Sequence, residues 1–195
     1  MPLSGVDGLK KQLRSTYKNI RLSLGADEKE LLDSAVAENL FALDIYRGAE
    51  VILAFVSKDI EVGTQRIIER ALSDGKRVAA PLCDTETTDI DFYFINSRGN
   101  LKKGFYGLYE PDPEKCAAVT DFSGALCLVP ALAYDREGYR LGFGKGYYDR
   151  FLARFNGVSA GLCYECCVSD ELPRGRFDRR VDALVTDKAY YSFGL

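Results

Sequence analysis

Histidine does not occur anywhere in this chain of 195 residues, and its absence excludes several kinds of chemistry. Ser-His-Asp and Cys-His catalysis both depend on an imidazole base, and histidine is also the commonest metal ligand. We therefore expect any metal ion to be held by oxygen atoms. Catalysis must then rely on carboxylates, Lys, Arg, Tyr and bound anions.

Long apolar runs and an excess of positive charge are absent as well. No run approaches the roughly 18 apolar residues of a membrane-spanning helix, and no apolar signal segment follows the N-terminus. The net charge of −3 provides no general basis for binding nucleic acid. We therefore predict a cytoplasmic protein, expected to be a monomer, whose partners are small molecules and neither nucleic acid nor membrane. The basic, acid-poor start leaves an organellar transit peptide as the alternative.

The six cysteines do not follow the pattern of a disulfide framework. Cys83 and Cys127 lie in apolar, strand-like runs, where a free thiol packs as a small hydrophobic group. Cys163-x-x-Cys166-Cys167 raises the alternative of a zinc or redox site. Because a structural zinc site needs a second pair of ligands, we expect reduced cysteines that mostly pack in the interior.

The spacing of apolar residues predicts alternating helices and strands. Helices are expected at about residues 6–24, 27–48, 64–73 and 147–155, the second beginning at a capping box with Asp27 as the cap. Strands are expected at residues 51–56, 77–83, 90–95, 125–133, 158–164 and 183–186. Residues 96–124 form a long excursion. This order predicts one α/β domain over residues 1–195: a doubly wound, mainly parallel sheet flanked by helices, with the helices of residues 1–47 packed on the sheet.

The segment Arg140-Leu-Gly-Phe-Gly-Lys-Gly-Tyr-Tyr-Asp149 has the pattern of an anion-binding loop. Its glycines allow tight turns and exposed N–H groups, and Arg140 and Lys145 supply positive charge beside them. It is not a Walker A loop, because Gly146 follows Lys145 where Ser or Thr is required. The glycine spacing also differs from a dinucleotide fingerprint. A strand–helix turn with solvated charges is the alternative.

Basic residues are concentrated in the first predicted helix, where Lys10, Arg14, Lys18 and Arg21 form a stripe beside the apolar face. Lys10 and Arg14 are one turn apart and project together. A local anionic ligand and a solvated helix flank are the two interpretations.

Taken together, three motifs resemble the 5-formyltetrahydrofolate cyclo-ligases, also called 5,10-methenyltetrahydrofolate synthetases. They are Lys10-x-x-x-Arg14, Glu61-x-x-Thr64 and the segment from Arg140 to Asp149. The resemblance spans Lys10 to Thr186 and implies an α/β fold. It also implies an ATP-dependent C–N ligase that uses Mg-ATP to convert 5-formyltetrahydrofolate into 5,10-methenyltetrahydrofolate, releasing ADP and phosphate.

The resemblance implies a role for each matched residue. The implied ATP ligands are Lys10, Arg14, Arg140, Leu141, Gly142, Phe143, Gly144, Lys145, Gly146, Tyr147 and Tyr148. The implied folate contacts are Val56, Glu61, Phe143 and Tyr147. Asp149 and Asp178 are the implied Mg²⁺ ligands, with Asp182 as a rival because Phe177 stands before Asp178 where many members have His. A further loop, Lys103-Gly-x-x-Gly107 with Glu110-Pro111, matches without an assigned role.

In the implied reaction the formyl oxygen attacks the γ-phosphate, and N10 then displaces phosphate as the ring closes. Such chemistry requires mainly positioning and charge neutralisation, which a chain without histidine can supply. Lys145 is the predicted catalytic residue beside the transferred phosphoryl group, with Arg140 second. The alternative is a domain that binds a phosphometabolite, or an isomerase-type domain with Glu61 as base, without ATP-dependent turnover.

Overall fold

The computed structural model describes residues 5–104 and 109–194. The α-helices of this part of the chain are α1 Gly5–Leu22, α2 Ala26–Phe41, α3 Asp44–Arg47, α4 Gln65–Ser73 and α5 Tyr147–Leu152. The strands are β1 Val51–Leu53, β2 Arg77–Cys83, β3 Ile90–Ile95, β4 Leu101–Lys103, β5 Tyr109–Pro111, β6 Ala125–Pro130, β7 Ala133–Asp135, β8 Arg140–Leu141, β9 Val158–Leu162, β10 Val168–Ser169, β11 Ala183–Val185 and β12 Tyr190–Ser192. None of the described helices combines the length and hydropathy that crossing a membrane requires.

The main sheet has the strand order β12-β11-β9-β6-β1-β2-β3. Neighbouring strands from β11 to β2 run parallel, whereas β3 and β12 add antiparallel edges. Two smaller sheets, β10-β7-β8 and β4-β5, lie outside it. The predicted mainly parallel sheet is therefore confirmed.

Both faces of the central strands are buried. In β6, Leu126 and Leu128 join one hydrophobic cluster, while Cys127 and Val129 join another on the opposite face. The first cluster also contains residues of α2 and α4, and the second contains residues of α5 and α1. A strand covered on both faces appears in sequence as a continuous apolar run, which is why β6 was readily predicted. The result is a sheet with helices on both sides.

The strand order reverses between β1 and β6. From β1 the chain passes through α4 to β2 on one side, whereas β6, β9 and β11 extend to the other side. In open α/β sheets the connections diverge at such a point and leave a crevice at the carboxyl ends of the strands. The fold therefore places its ligand crevice where β1 and β6 end.

Several predicted boundaries were wrong. α2 begins at Ala26 with Gly25 as its N-cap and no side-chain capping bond, so Asp27 lies inside the first turn. The strand predicted over residues 125–133 ends at Pro130, because the Leu132 N–H donates to the Leu141 carbonyl and draws the chain into the β7–β8 hairpin. The excursion contains the β4–β5 hairpin, and Gly107 of its predicted loop lies outside the described residues.

Candidate active site

A cleft of about 490 Å³ opens at the carboxyl ends of β1, β2 and β6. Every residue that the sequence assigned to the site lines it: Lys10, Arg14, Val56, Glu61, Arg140, Leu141, Gly142, Phe143, Gly144, Lys145, Gly146, Tyr147, Tyr148, Asp149 and Asp178. The fold thus brings four separated segments of the chain together at the strand-order reversal.

The glycine loop, residues 142–146, joins β8 to α5. Gly144 and Gly146 have φ angles of +98° and +73°, which residues with a side chain rarely adopt. A Cβ atom on Gly144 would lie 3.4 Å from the Cζ atom of Arg14. Glycine is therefore favoured by the backbone conformation, while a Cβ atom would only touch the Arg14 side chain of α1. Lys145 is exposed within this loop.

Two cations of α1 hold the helix against the loop. Arg14 Nε donates a hydrogen bond to the Gly142 carbonyl over 2.9 Å. One turn earlier, Lys10 Nζ forms an ion pair with Asp178 Oδ2. The helix that carries the basic stripe thus forms one wall of the cleft.

Arg140 fixes the ends of the loop. Its side chain is 4 % exposed, and Nη2 lies 2.7 Å from Asp149 Oδ1. Nη1 donates to the Arg179 carbonyl over 2.6 Å, and the Arg179 N–H donates to Asp149 Oδ1 over 3.1 Å. Arg140 therefore ties the loop to the segment that carries Asp178.

Asp149 and Asp178 each leave one carboxylate oxygen towards which no described residue donates a hydrogen bond. Asp149 accepts its bonds on Oδ1, and Asp178 accepts those from Lys10 and the Gly175 N–H on Oδ2. The described residues contain no group of three or more metal-ligating side chains. Two carboxylate oxygens nevertheless fit Mg²⁺, which retains waters and takes further ligands from substrate phosphates.

Asp182, the rival carboxylate, lies elsewhere. It accepts hydrogen bonds from both the N–H and the hydroxyl of Ser159, over 2.8 and 2.7 Å, next to β11. It does not line the cleft within the described part of the chain. Of the two candidates, only Asp178 is close to the glycine loop.

Glu61 also lines the cleft and is only 8 % exposed. Its Oε2 accepts a hydrogen bond from the Lys58 N–H over 2.7 Å. Burial raises the pKa of Glu61 above its ordinary value, although the Lys58 N–H and the charges of Lys58, Arg21 and Lys29 oppose this shift. Val56, half-buried, lies beside it along the wall.

The hydroxyl of Tyr148 is buried and has no hydrogen-bond partner among the described residues. Burial raises the pKa of Tyr148 well above its ordinary value, and nearby Cys127, Cys83 and Glu61 add to the shift. The phenol is therefore neutral and remains available as a donor to a bound molecule.

Sequence reasoning missed part of the cleft wall. Phe55, Pro81, Cys83, Ile90 and Pro130 line it with apolar atoms, and Tyr109 and Glu110 contribute from β5. In the sequence, only the matched Glu110-Pro111 pair indicated this wall. The apolar residues have the pattern of ordinary core residues at strand ends. All six cysteines are free thiols, and Cys163 and Cys167 are buried.

Comparison with known proteins identifies the family of this chain. The model of the "5-formyltetrahydrofolate cyclo-ligase family" matches residues 6–187. The 5-formyltetrahydrofolate cyclo-ligase of Mycolicibacterium smegmatis is 33 % identical over 184 residues, covering 92 % of this chain and 94 % of that protein. The enzyme of Haemophilus influenzae is 27 % identical over 173 residues, covering 87 % and 92 %.

Solved structures show the same fold. The 5,10-methenyltetrahydrofolate synthetase of Aquifex aeolicus superposes with a TM-score of 0.82 at 33 % identity, covering 96 % of this chain and 94 % of that one. A synthetase from Mycoplasma pneumoniae shares the fold at 23 % identity, with a TM-score of 0.69 and coverage of 91 % and 98 %. Because the family match extends through the whole parallel core of the sheet and includes every segment of the cleft, this chain belongs to the 5-formyltetrahydrofolate cyclo-ligase family.

Proposed function

We propose that this protein converts 5-formyltetrahydrofolate into 5,10-methenyltetrahydrofolate with consumption of ATP and release of ADP and phosphate. One observation carries the proposal: the cationic glycine loop and a buried carboxylate, Glu61, line the same cleft. The cationic loop would accept a polyphosphate, and the carboxylate would accept a heterocycle that has N–H donors.

Beside the glycines, Lys10 and Arg14 of α1 and Lys145 of the loop itself line the cleft. Phosphoryl transfer needs alignment and charge neutralisation more than covalent chemistry, and cations with exposed N–H groups supply both. We assign Lys145 to the transferred phosphoryl group, because it is the exposed cation of the loop, and Arg140 to holding the loop in shape. Asp149 and Asp178 would hold Mg²⁺, which supplies charge neutralisation at the phosphate oxygens.

For the folate, the Glu61 carboxylate would accept hydrogen bonds from the pterin, and Val56, Phe143 and Tyr147 would contact its rings. The formyl oxygen attacks the γ-phosphorus, and the bond to the bridging oxygen of ADP breaks. N10 then attacks the formyl carbon, the carbon–oxygen bond to phosphate breaks, and N10 loses its proton. The apolar walls limit hydrolysis of the phosphorylated intermediate.

We also propose that residues 1–195 act as one unit, a cytoplasmic monomer. The support for a single unit is that the family match over residues 6–187 includes every residue that lines the cleft. Analytical ultracentrifugation of the active protein measures the oligomeric state, and a fluorescent fusion reports its location.

The activity test combines the protein, Mg-ATP and 5-formyltetrahydrofolate and follows methenyl product by absorbance, together with ADP. We expect both products in equal amounts. Lys145→Ala should remove most turnover, at least about a hundredfold in kcat, without changing the circular dichroism spectrum. Lys18→Ala, an exposed cation of α1 outside the cleft, is the matched control. Absence of both products from the folded wild type would favour a binding or isomerase-type domain.

A further inference from the structure

Arg21 is a buried cation at the end of α1, only 3 % exposed. The sequence pattern places it in the same basic stripe as Lys10 and Arg14, yet it does not line the cleft within the described residues. A buried charge is unfavourable unless its donors are satisfied and its charge is balanced. The groups that contact the Arg21 guanidinium therefore indicate its role in the protein.

The guanidinium of Arg21 joins three separate parts of the fold. Nη1 donates to the Ile60 carbonyl over 2.9 Å, and Nε donates to the Leu132 carbonyl over 2.9 Å. Nη2 lies 3.5 Å from Cys163 Sγ. Ile60 precedes Glu61 in the chain, and Leu132 begins the hairpin that leads into the glycine loop.

A second set of contacts, made through Tyr164 and Asp33, holds the segment of residues 60–63. Arg21 lies 5.1 Å from the centre of the Tyr164 ring. The Tyr164 hydroxyl lies 2.7 Å from Asp33 Oδ1 and 3.3 Å from the Glu61 carbonyl oxygen. Asp33 Oδ1 in turn accepts the Gly63 N–H over 2.8 Å. The backbone from residue 60 to residue 63 is thereby held at three points.

The sulfur of Cys163 is a buried acceptor for Arg21, and it donates to the Cys167 carbonyl over 3.7 Å. Burial alone would raise the pKa of Cys163, but its contacts with Cys167 and the charge of Arg21 lower it below its ordinary value. The Cys163-x-x-Cys166-Cys167 motif therefore contributes a partner for Arg21 within the interior.

We propose that Arg21 is a positioning residue that fixes the Glu61 segment relative to α1 and the glycine loop, with Cys163 as its buried counterpart. The helix that carries Lys10 and Arg14 is thereby coupled to the segment that carries the Glu61 carboxylate. The inference rests on the proposed function, because it assigns Glu61 to folate and α1 to ATP.

The test compares Arg21→Met with Lys76→Met. Lys76 donates to the Arg47 and Ala49 carbonyls over 2.9 and 2.7 Å and lies 5.1 Å from the Tyr46 ring, away from the cleft. It therefore performs a similar structural task without a partner in the site. We expect both variants to lower the Tm. Only Arg21→Met should reduce kcat/KM for 5-formyltetrahydrofolate, by about 10- to 100-fold, since a misplacement of about 1 Å has effects of this size.

The pH profile of kcat/KM distinguishes the effect of the Arg21 charge on Glu61 from the effect of the Arg21 hydrogen bonds on the backbone. Glu61 is faced by Lys58 on its own segment, Arg21 on α1, Lys29 on α2 and Tyr148 on α5. Loss of the positive charge in Arg21→Met should move the acid limb of kcat/KM to higher pH. Arg21→Lys keeps the charge and should keep the limb in place while recovering only part of kcat/KM.

Wild-type values of KM and of the acid limb in Arg21→Met would overturn the proposal, as would equal kinetic effects of Lys76→Met. If Arg21→Met does not fold, the variants Arg21→Lys and Cys163→Ser test the proposal instead. Wild-type kinetics in both variants would overturn the proposal. Hydrogen exchange supplies a readout independent of turnover: the amides of residues 60–63 should exchange faster in Arg21→Lys than in wild type. Hydrogen exchange tests the role of Arg21 even if the wild type makes no methenyl product. Absence of that product would reject the proposed function but not the positioning role of Arg21.

Discussion

Glu61 carries a carboxylate into a part of the cleft that solvent hardly reaches. Burial raises its pKa in the folded protein above the ordinary 4.5. The contribution of this group to stability is therefore fully present below about pH 4.5 and is lost as the pH rises through the folded-state pKa. Once ionised, the carboxylate destabilises the fold, and we propose that it is retained for binding.

We accordingly expect Glu61→Gln to raise the Tm at pH 8 and to leave it nearly unchanged at pH 4, because the amide carries no charge at either pH. The same variant should lose most affinity for 5-formyltetrahydrofolate. Thermal melts at several pH values and isothermal titration measure the two effects. Glu30→Gln, an exposed carboxylate of α2, is the control. A Tm gain that does not depend on pH would contradict the linkage.

Tyr148 offers a second prediction at the scale of one residue. A buried hydroxyl without a partner destabilises a protein by about 1–3 kcal/mol. Tyr148→Phe should therefore raise the Tm of the unliganded protein, by about 2–4 °C per kcal/mol for a domain of this size. It should also weaken binding of 5-formyltetrahydrofolate.

The matched variant is Tyr134→Phe. The Tyr134 hydroxyl is also buried, but it donates to the Val129 carbonyl over 2.9 Å. Its removal takes one hydrogen bond from that buried carbonyl and should lower the Tm. A fall in the Tm of both variants would show that the Tyr148 hydroxyl is satisfied in solution.

At the scale of the element, the glycine loop depends on α1 as well as on its own sequence. Gly144 combines a positive φ with the nearby Arg14 guanidinium, whereas a Cβ atom on Gly142 meets nothing within 4 Å. Gly144→Ala should therefore raise KM for ATP at least about tenfold, and Gly142→Ala should have a clearly smaller effect. Steady-state kinetics with a melt for each variant make the comparison. Equal effects would exclude α1 as a wall of the loop.

The elements that sequence predicts well are those with enough residues to show a period. β2 and β3 span the predicted residues 77–83 and 90–95. β7, β8 and β10 have only two or three residues each, too few to show any alternation, and their pairing depends on distant partners. Short strands of this kind become predictable only when the position of their neighbours is known.

Arg21 shows the same limit in the site. The spacing of the basic stripe predicts that Lys10 and Arg14 share a face, and both line the cleft. The pattern cannot show that Arg21 is buried, because its partners at Leu132 and Cys163 are more than a hundred residues away. The residue types and their spacing therefore located the site. Tertiary packing places Lys10 and Arg14 in the wall of the cleft, whereas it buries Arg21 between distant segments of the chain.

At the scale of the whole molecule, α1 is attached by polar contacts and by apolar residues that are only partly buried. Arg21 is its buried residue, while Val6, Leu9 and Leu22 on the same helix are 39 %, 47 % and 59 % exposed. The apolar side chains of α1 that pack on the core, Leu13, Tyr17 and Ile20, are half-buried. An element with little fully buried apolar surface opens at a low free energy. We therefore expect α1 to open more readily than the central strands of the sheet.

A ligand that bridges α1 and the glycine loop should therefore stabilise this helix before it stabilises the rest of the protein. At 100 times its Kd, Mg-ATP stabilises the docked state by about 2.7 kcal/mol, equivalent to a hundredfold lower population of the open form. We expect amide hydrogen exchange in α1 to slow by up to about that factor, with little change in α4, which does not line the cleft. Exchange measured by mass spectrometry with and without Mg-ATP provides the comparison. Uniform slowing across α1 and α4 would show that ATP stabilises the fold globally, and no change in α1 would remove that helix from the nucleotide site.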